Sequence, residues 1–166
     1  LLTPNPPMGG AADWDFKTGQ NDWTAATSIP PFESAEAQHV PGIGYGIRAT
    51  GFPCFAFLQS PEVMLLPGRT YRLWCTVATT ATTAEAAPQI RLRAFQTTTN
   101  MSELLALDSV GDALPSLGSK TYEYTITSQI SGPAQTYRFY LDYTFFNPFD
   151  EQGAWVYLER VILAEI

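Results

Sequence analysis

The fold of this chain is decided by the stretch LPGRTYRLWCTV, residues 66–77. Pro67 and Gly68 form a turn signal, and the residues after them alternate between apolar and polar positions. The apolar positions recur at every second residue, at Tyr71, Leu73, Cys75 and Val77. A period of two is typical of a strand that is half buried in an antiparallel sheet. The stretch therefore predicts a turn followed by a strand with one face toward a core.

The same alternation recurs along the chain. It is found in residues 90–95, 121–126 and 137–143, and turn signals such as Ser131-Gly132-Pro133 and Asn147-Pro148 lie between the later runs. Helical periodicity is almost absent, and residues 101–108 fit either one short turn or a strand. Strands at this spacing, without helices between them, predict an all-β sandwich of two sheets with less than about a tenth helix.

The alternation also predicts the core. The apolar members that we expect to be buried are Tyr71, Leu73, Val77, Leu92, Phe139, Leu141 and Val161. The chain has 166 residues, a length that fits one domain spanning 1–166. Residues 1–40 are rich in proline, and we expect them to form an irregular N-terminal segment that wraps the sandwich.

The charge of the chain excludes two classes of partner. The net charge is −7 and only 15% of residues are charged. Nucleic-acid binding needs a cluster of basic residues, and an anionic membrane surface would repel an acidic chain. We therefore expect no nucleic-acid partner and no membrane association. The Thr, Ser, Gln, Gly and Pro that replace the missing charges are typical of extracellular β proteins.

Cys54 and Cys75 are the two cysteines, and both lie in apolar runs that predict strands. One interpretation is a structural disulfide formed in an oxidising compartment. The other is two small buried side chains with free thiols. The sequence leaves both open, because it does not give the Cα separation that a bridge requires.

Long charged or planar side chains occupy the polar positions of the predicted strands. They are Arg72, Trp74, Arg91, Arg93, Glu123, Arg138, Tyr140 and Asp142. We expect all of them to project from one sheet. Proteins bind sugars by stacking them on Trp and Tyr and by hydrogen-bonding them with polar side chains. This face therefore predicts a ligand site; the alternative is that the aromatic rings pack under loops while Arg and Asp pair across strands.

Catalytic machinery is not indicated. The single histidine, His39, is expected in a loop next to Pro41, and the sequence holds no nucleophile elbow, phosphate-binding Gly-rich loop or zinc-protease motif. Glu123 and Asp142 could face each other as a carboxylate pair, the arrangement that hydrolyses glycosides. Polar pairs on strand faces are more often solvated or hydrogen-bonded to each other. We predict no catalytic residues and no enzyme activity.

Four stretches occur in an order known from one group of modules. They are LLTPNP (1–6) followed by NDWT (21–24), LQ (58–59) with LPGRTYRL (66–73), YEYTIT (122–127) and VYLERV (156–161). With these motifs the chain resembles the carbohydrate-binding modules of families 4 and 9, which are galactose-binding-like jelly rolls. The resemblance implies an antiparallel jelly-roll β-sandwich of two sheets and non-catalytic binding of carbohydrate.

The resemblance also implies a calcium site between an opening Glu and the first Asp of the last strand. In this chain Gly9 and Glu159 occupy those positions. Calcium prefers six to eight oxygen ligands, and here one carboxylate is lost and the other is lengthened. We expect any calcium to be weakly held, with Glu159 and the backbone near Asn5 as its ligands, and no other cofactor.

These observations favour a non-catalytic carbohydrate-binding module of a secreted or surface protein. The alternative is a structural subunit of a virion, filament or surface layer that self-assembles through its sandwich and its termini. The expected partners are carbohydrate in the first case and neighbouring subunits in an oligomer in the second. The expected localisation is extracellular, on a cell surface or in a virion.

Overall fold

The structure is a computed structural model that describes residues 12–80, 88–97, 101–109, 119–127, 135–145 and 154–166, with the backbone alone for 101–109, 127 and 135. The opening motif 1–6 and the turns at Ser131-Gly132-Pro133 and Asn147-Pro148 lie outside the described residues. Within the described ranges the chain forms strands and turns without a helix, so none is present that is long and apolar enough to cross a membrane.

The described residues contain twelve strands. They are β1 Ala12–Asp15, β2 Thr24–Ala26, β3 Ala35–Val40, β4 Gly44–Ala49, β5 Cys54–Gln59, β6 Val63–Leu65, β7 Thr70–Thr79, β8 Gln89–Gln96, β9 Met101–Ser109, β10 Ser119–Thr127, β11 Gln135–Phe145 and β12 Val156–Glu165. Residues 101–108, for which the sequence left a turn or a strand open, belong to β9.

The strands form two six-stranded sheets. Sheet A has the order β10-β7-β12-β4-β3, with β1 paired to β12. Sheet B has the order β2-β5-β11-β8-β9, with β6 paired to β11. Every one of these pairings is antiparallel. The prediction of an all-β antiparallel jelly-roll sandwich is confirmed.

The region 12–40 differs from the irregular wrap that the prolines suggested. It contributes β1 and β3 to sheet A and β2 to sheet B. Trp14, Phe16 and Trp23 from this region are buried, and the Trp23 ring meets the other two edge to face at 5.4 and 5.2 Å. These aromatic contacts compensate for the shortness of β1 and β2, because each ring buries a large apolar area.

The core lies between the two sheets and is built from the inward residues of both. The seven residues predicted from the alternation, Tyr71, Leu73, Val77, Leu92, Phe139, Leu141 and Val161, are all buried there. The prediction succeeded because successive side chains in a strand point to opposite faces, so the pattern of one strand identifies its inward side.

The hydroxyl of Tyr143 joins the two sheets. Tyr143 lies on β11 in sheet B and is fully buried. Its Oη accepts a hydrogen bond of 3.1 Å from the backbone N–H of Ala49 on β4, in sheet A, and donates one of 3.0 Å to the carbonyl of Ala154. Burial raises the pKa of this phenol, so it stays protonated and keeps its donor.

Cys54 and Cys75 are buried free thiols that lie on β5 in sheet B and β7 in sheet A. The structure therefore corresponds to the second of the two interpretations, small buried side chains. Burial raises the pKa of Cys75 to about 12 and that of Cys54 to about 11, because a thiolate would lose its hydration. The coulombic effect of Glu33 also raises the pKa of Cys54.

Candidate functional site

The eight residues expected on one polar face are divided between the two sheets. Arg72, Trp74 and Glu123 lie on β7 and β10 of sheet A. Those in sheet B are Arg91, Arg93, Arg138, Tyr140 and Asp142. The expectation of a single shared sheet is wrong, because the chain crosses from sheet A to sheet B between β7 and β8. The two groups therefore form separate surfaces.

Three strands of sheet B bring one set of side chains side by side. The register places Tyr140 opposite Arg93 and Asp142 opposite Arg91, and on the other side of β11 it places Asp142 opposite Phe57. We call this surface the sheet B outer face. Its members are Phe55 and Phe57 on β5, Arg91, Arg93 and Phe95 on β8, and Arg138, Tyr140 and Asp142 on β11.

Aromatic rings run across the sheet B outer face. The Tyr140 ring meets Phe57 edge to face at 5.2 Å between centroids and Phe95 at 6.4 Å. Phe55 continues the series at 6.1 Å from Phe57, and Phe32 lies 5.9 Å beyond it. All five side chains are only partly buried. Edge-to-face pairs are favourable, so the rings hold one another in place while part of each remains accessible.

Asp142 lies beneath the charged part of the sheet B outer face. Its side chain is 0% exposed, and its Oδ2 accepts hydrogen bonds from Arg91 Nε at 2.8 Å and Arg93 Nε at 3.0 Å. Its Oδ1 accepts a third from Arg93 Nη2 at 3.1 Å. A buried carboxylate needs such partners, since an unpaired buried charge is very costly. The pairing of Arg and Asp across strands, which the sequence offered as the alternative, is therefore present.

Arg93 links the charged and aromatic parts of the face. Its guanidinium carbon lies 4.1 Å from the centroid of the Tyr140 ring and 5.9 Å from that of Phe57. A guanidinium over an aromatic ring is attracted to the electron-rich face of the ring. The Arg93 side chain is 21% exposed. With Asp142 holding its nitrogens and Tyr140 packed against its plane, this guanidinium has a fixed orientation.

Arg138 occupies one end of the face. Its Nη1 donates to the carbonyl of Ser60 at 2.9 Å, and its Nη2 lies 3.5 Å from Glu62 Oε1. The Ser60 hydroxyl accepts from the backbone N–H of Phe139 at 2.8 Å and donates to the Pro61 carbonyl at 2.8 Å. Ser60 is buried. These bonds fix the turn after β5 against β11 and so position Arg138.

The outer face of sheet A is organised differently. Arg72 Nη1 lies 3.2 Å from Glu123 Oε1, and the half-buried Trp74 lies opposite Glu123 in the register. Another patch lies on β3 and β4, where Arg48 pairs with Glu36. The Arg48 guanidinium also lies 4.9 Å from the ring centroid of Trp155, the residue before β12. Each of these arginines has one acidic partner, so these pairs are neutral overall.

The carboxylate pair considered for glycoside hydrolysis does not form. Glu123 lies on sheet A and Asp142 on sheet B, so the two carboxylates belong to opposite faces of the sandwich. His39 lies in β3 rather than in a loop, and its Nε2 donates to the backbone carbonyl of Phe16 at 2.7 Å. The residues considered for catalysis are thus either separated or held by structural partners.

Of the two implied calcium ligands, Glu159 belongs to the described residues and Asn5 lies outside them. Glu159 is in β12 where the register with β7 shifts between Leu158 and Arg160, and its backbone carbonyl accepts from the Phe16 N–H at 3.0 Å. Within the ranges that the structure describes, no three acidic, His or Cys side chains converge as metal ligands. Calcium binding stays a prediction.

Sequence reasoning missed Phe55, Phe57 and Phe95 as members of the face. Phe95 occupies an outward position in the alternation of β8, but that position alone does not mark a binding residue. Residues 54–58 read CFAFL, which is apolar throughout, so the contrast between the two faces of β5 is weak. The available signal was size, since the large Phe55 and Phe57 alternate with Cys54 and Ala56, and small residues fit the closely packed inner face.

Solved structures of other proteins share the fold of this chain. No family model and no curated protein matches the chain. A solved xylan-binding module of family CBM15 is similar over 94% of this chain and 97% of its own, with a TM-score of 0.64 and 14% identity. The CBM22-2 xylan-binding domain of Paenibacillus barcinonensis Xyn10C is similar over 93% and 98%, with a TM-score of 0.56 and 15% identity.

A protein of another kind has the same architecture. The K1 cleaved adhesin domain of the Lys-gingipain of Porphyromonas gingivalis W83 is similar over 93% of this chain and 98% of its own, with a TM-score of 0.57 and 14% identity. The resemblance to carbohydrate-binding modules is thus confirmed for the jelly-roll fold. It is not specific to families 4 and 9, since modules of families 4, 15 and 22 all match. At these identities the similarity establishes the fold.

Proposed function

We propose that this chain is a non-catalytic carbohydrate-binding module of a secreted or surface protein, and that it binds its ligand on the sheet B outer face. The observation that carries the proposal is the series of partly exposed rings, Phe57, Tyr140 and Phe95, next to two fixed guanidinium groups. Aromatic surface beside convergent hydrogen-bond donors is the combination that sugar recognition requires.

The arrangement suits an extended chain of sugars. Phe57, Tyr140 and Phe95 lie on β5, β11 and β8, which are neighbours in sheet B. Neighbouring strands are about 4.8 Å apart, so the three rings span about 10 Å across the sheet. That width favours an oligosaccharide lying across the strands over a single monosaccharide. Arg91 and Arg93 lie beside the rings and can donate hydrogen bonds to hydroxyl oxygens.

Carbohydrate binding does not require a catalytic residue. The strongest acid–base candidate on the face, Asp142, is fully enclosed and already accepts three hydrogen bonds, so it has no access to a substrate proton. The similar xylan-binding modules support a carbohydrate ligand because they share the architecture. That support is by analogy of fold, and the site itself has to be tested directly.

The test is a matched pair of variants, Tyr140→Ala on sheet B and Trp74→Ala on sheet A. Affinity for soluble polysaccharides, xylan first, is measured by affinity electrophoresis and calorimetry. Loss of a central aromatic residue should weaken binding by about 1–3 kcal/mol, which is about fivefold to 150-fold in Kd. Trp74→Ala should bind as the unchanged chain does, because Trp74 belongs to the other sheet. Equal weakening in both variants would contradict the proposed site.

Self-assembly, the alternative function, is read in the same samples. Light scattering at micromolar concentration gives the mass of the unchanged chain and of a variant without residues 1–7. A binding module should have the mass of a monomer in both cases. A large assembly that is lost in the truncated variant, together with no binding to any polysaccharide, would favour the structural subunit instead.

A further inference from the structure

Two arginines of the sheet B outer face share one carboxylate. Arg91 and Arg93 are two residues apart on β8, and both pair with the single carboxylate of Asp142. Arg138 has its own acidic neighbour, Glu62. Among the described side chains of the face together with Glu62 there are three arginines and two carboxylates. The whole chain, by contrast, has a net charge of −7.

Arg91 is the guanidinium that can take another partner. Its Nε is bound to Asp142, and its side chain is 40% exposed, against 21% for Arg93. In the described part of the structure, the bond from Nε is the only hydrogen bond from Arg91 to a side chain. Its two terminal amino groups are therefore available to a ligand as a forked donor, and a planar carboxylate matches that fork.

We infer that the ligand of the sheet B outer face is an acidic glycan, whose uronic-acid carboxylate binds Arg91 while neighbouring sugar rings lie on Phe57, Tyr140 and Phe95. This inference rests on the proposed function and names its ligand class. Asp142 serves as a positioning residue, since its buried oxygens hold the guanidinium groups before the ligand arrives. Such preorganisation reduces the entropy lost on binding.

The charge of the rest of the chain limits how acidic the ligand can be. A single carboxylate beside Arg91 interacts mainly with that arginine, because charges farther away than about 8 Å are screened at physiological salt. A polymer with a carboxylate on every sugar would place many charges along an acidic protein. We therefore expect isolated uronic-acid branches on a neutral backbone to be preferred over a continuous polyuronate.

The experiment compares four ligands by calorimetry. They are a neutral xylo-oligosaccharide, the same oligosaccharide with one glucuronic-acid branch, the branched form with its carboxyl reduced to the alcohol, and polygalacturonate. The acidic branch should bind about tenfold more tightly than its reduced counterpart, the effect expected of one charge-assisted hydrogen-bonded pair. Its advantage should disappear when salt is raised from about 20 mM to about 500 mM, while binding of the neutral ligand stays constant.

Two variants locate the effect. Arg91→Gln should lose the tenfold preference for the acidic branch over its reduced counterpart, while the loss of a donor to hydroxyl oxygens lowers the affinity for all the ligands alike. Arg72→Gln, the matched change on the outer face of sheet A, should change neither. The salt series on the unchanged chain provides a second test if Arg91→Gln is too unstable to purify.

The outcomes separate this inference from the proposed function. Equal binding of the acidic and reduced branches would overturn the acidic ligand but leave carbohydrate binding intact. An undiminished preference in Arg91→Gln would overturn the assignment of the carboxylate to this arginine, and tighter binding of polygalacturonate would overturn the preference for isolated acids. Failure to bind any of the four ligands, and any other polysaccharide, would mean that the proposed function itself is wrong.

Discussion

On the outer face of sheet A, Arg72 pairs with Glu123 and Arg48 pairs with Glu36, each in a partly exposed position. On the outer face of sheet B, Arg91 and Arg93 share a single, fully enclosed Asp142. Both faces pair arginines with carboxylates, but the number of arginines per carboxylate and the depth of the carboxylate differ. One-to-one exposed pairs are close to neutral in charge and in energy. A buried carboxylate shared by two arginines holds both side chains in place.

The inner faces of the two sheets serve as a control, because substitutions there should reduce the free energy of unfolding by similar amounts in both sheets. Leu141 of sheet B and Leu73 of sheet A are both buried. Replacing either with Ala should reduce the free energy of unfolding by about 2–5 kcal/mol, through lost apolar burial and the cavity left behind. Urea unfolding followed by fluorescence measures the change. A loss below about 0.5 kcal/mol at Leu141 would mean that the faces of β11 are reversed.

The outer faces should differ most at their carboxylates. Asp142→Ala removes the partner of two guanidinium groups, and the two positive charges are then left next to each other. Because both arginines reach solvent, we expect a loss of about 2–3 kcal/mol, less than for a wholly buried pair. Chemical denaturation at neutral pH is the measurement. If Asp142→Ala were as stable as the unchanged chain, the outer faces of the two sheets would be energetically equivalent.

The buried thiols test whether the two inner faces are equally closed to water. Cys75 has a pKa of about 12 in the folded chain, against an ordinary value of 9.0. Above pH 9 the unfolded chain releases this proton and the folded chain keeps it, so the folded state loses stability as pH rises. The loss should be about 1 kcal/mol at pH 10 for Cys75, and similar for Cys54 with its pKa of about 11.

Denaturation curves between pH 8 and pH 10 measure this slope. Cys75→Ala and Cys54→Ala should each make the slope less steep by a similar amount, because burial raises the pKa of both thiols well above 9.0. A slope that neither variant changes would show that the thiols ionise as readily in the folded chain as in the unfolded one.

The smallest effect is expected at the exposed pair of sheet A. Glu123→Ala removes the partner of Arg72, whose side chain is 36% exposed, and should change the free energy of unfolding by no more than about 0.5 kcal/mol. The difference between this variant and Asp142→Ala is the sharpest single measure of how the two faces differ. A loss at Glu123 as large as that at Asp142 would show that burial of the carboxylate is not what separates them.

The sequence was most informative about single strands and least informative about their neighbours. Alternation identified the inward side of β7, β8 and β11 because it depends only on the geometry within one strand. It did not predict that Trp74 and Tyr140 lie on different sheets. In this jelly roll β7 pairs with β10 and β12 while β8 pairs with β9 and β11, so strands that follow each other in the chain are separated in space.

The candidate site, too, depends on which strands are neighbours, and the sequence did not reveal this. Arg91, Arg93, Tyr140 and Asp142 were identified from their outward positions, but the burial of Asp142 was not. Burial depends on what two neighbouring strands place around the carboxylate, namely Phe57 on one side and Arg91 on the other. The only local indication of a buried acidic partner was the pair of arginines, Arg91 and Arg93, at alternate positions of β8.

Tyr143 has a consequence for how the molecule bears load. Apolar contacts between two sheets are non-directional, so they do not by themselves fix the position of one sheet along the other. The Tyr143 hydroxyl is bonded to Ala49 of the opposite layer and to Ala154. A directional bond of this kind breaks as soon as the layers slip. If the chain holds a polymer as proposed, the bonds of the Tyr143 hydroxyl would resist sliding of one sheet over the other when the polymer is pulled.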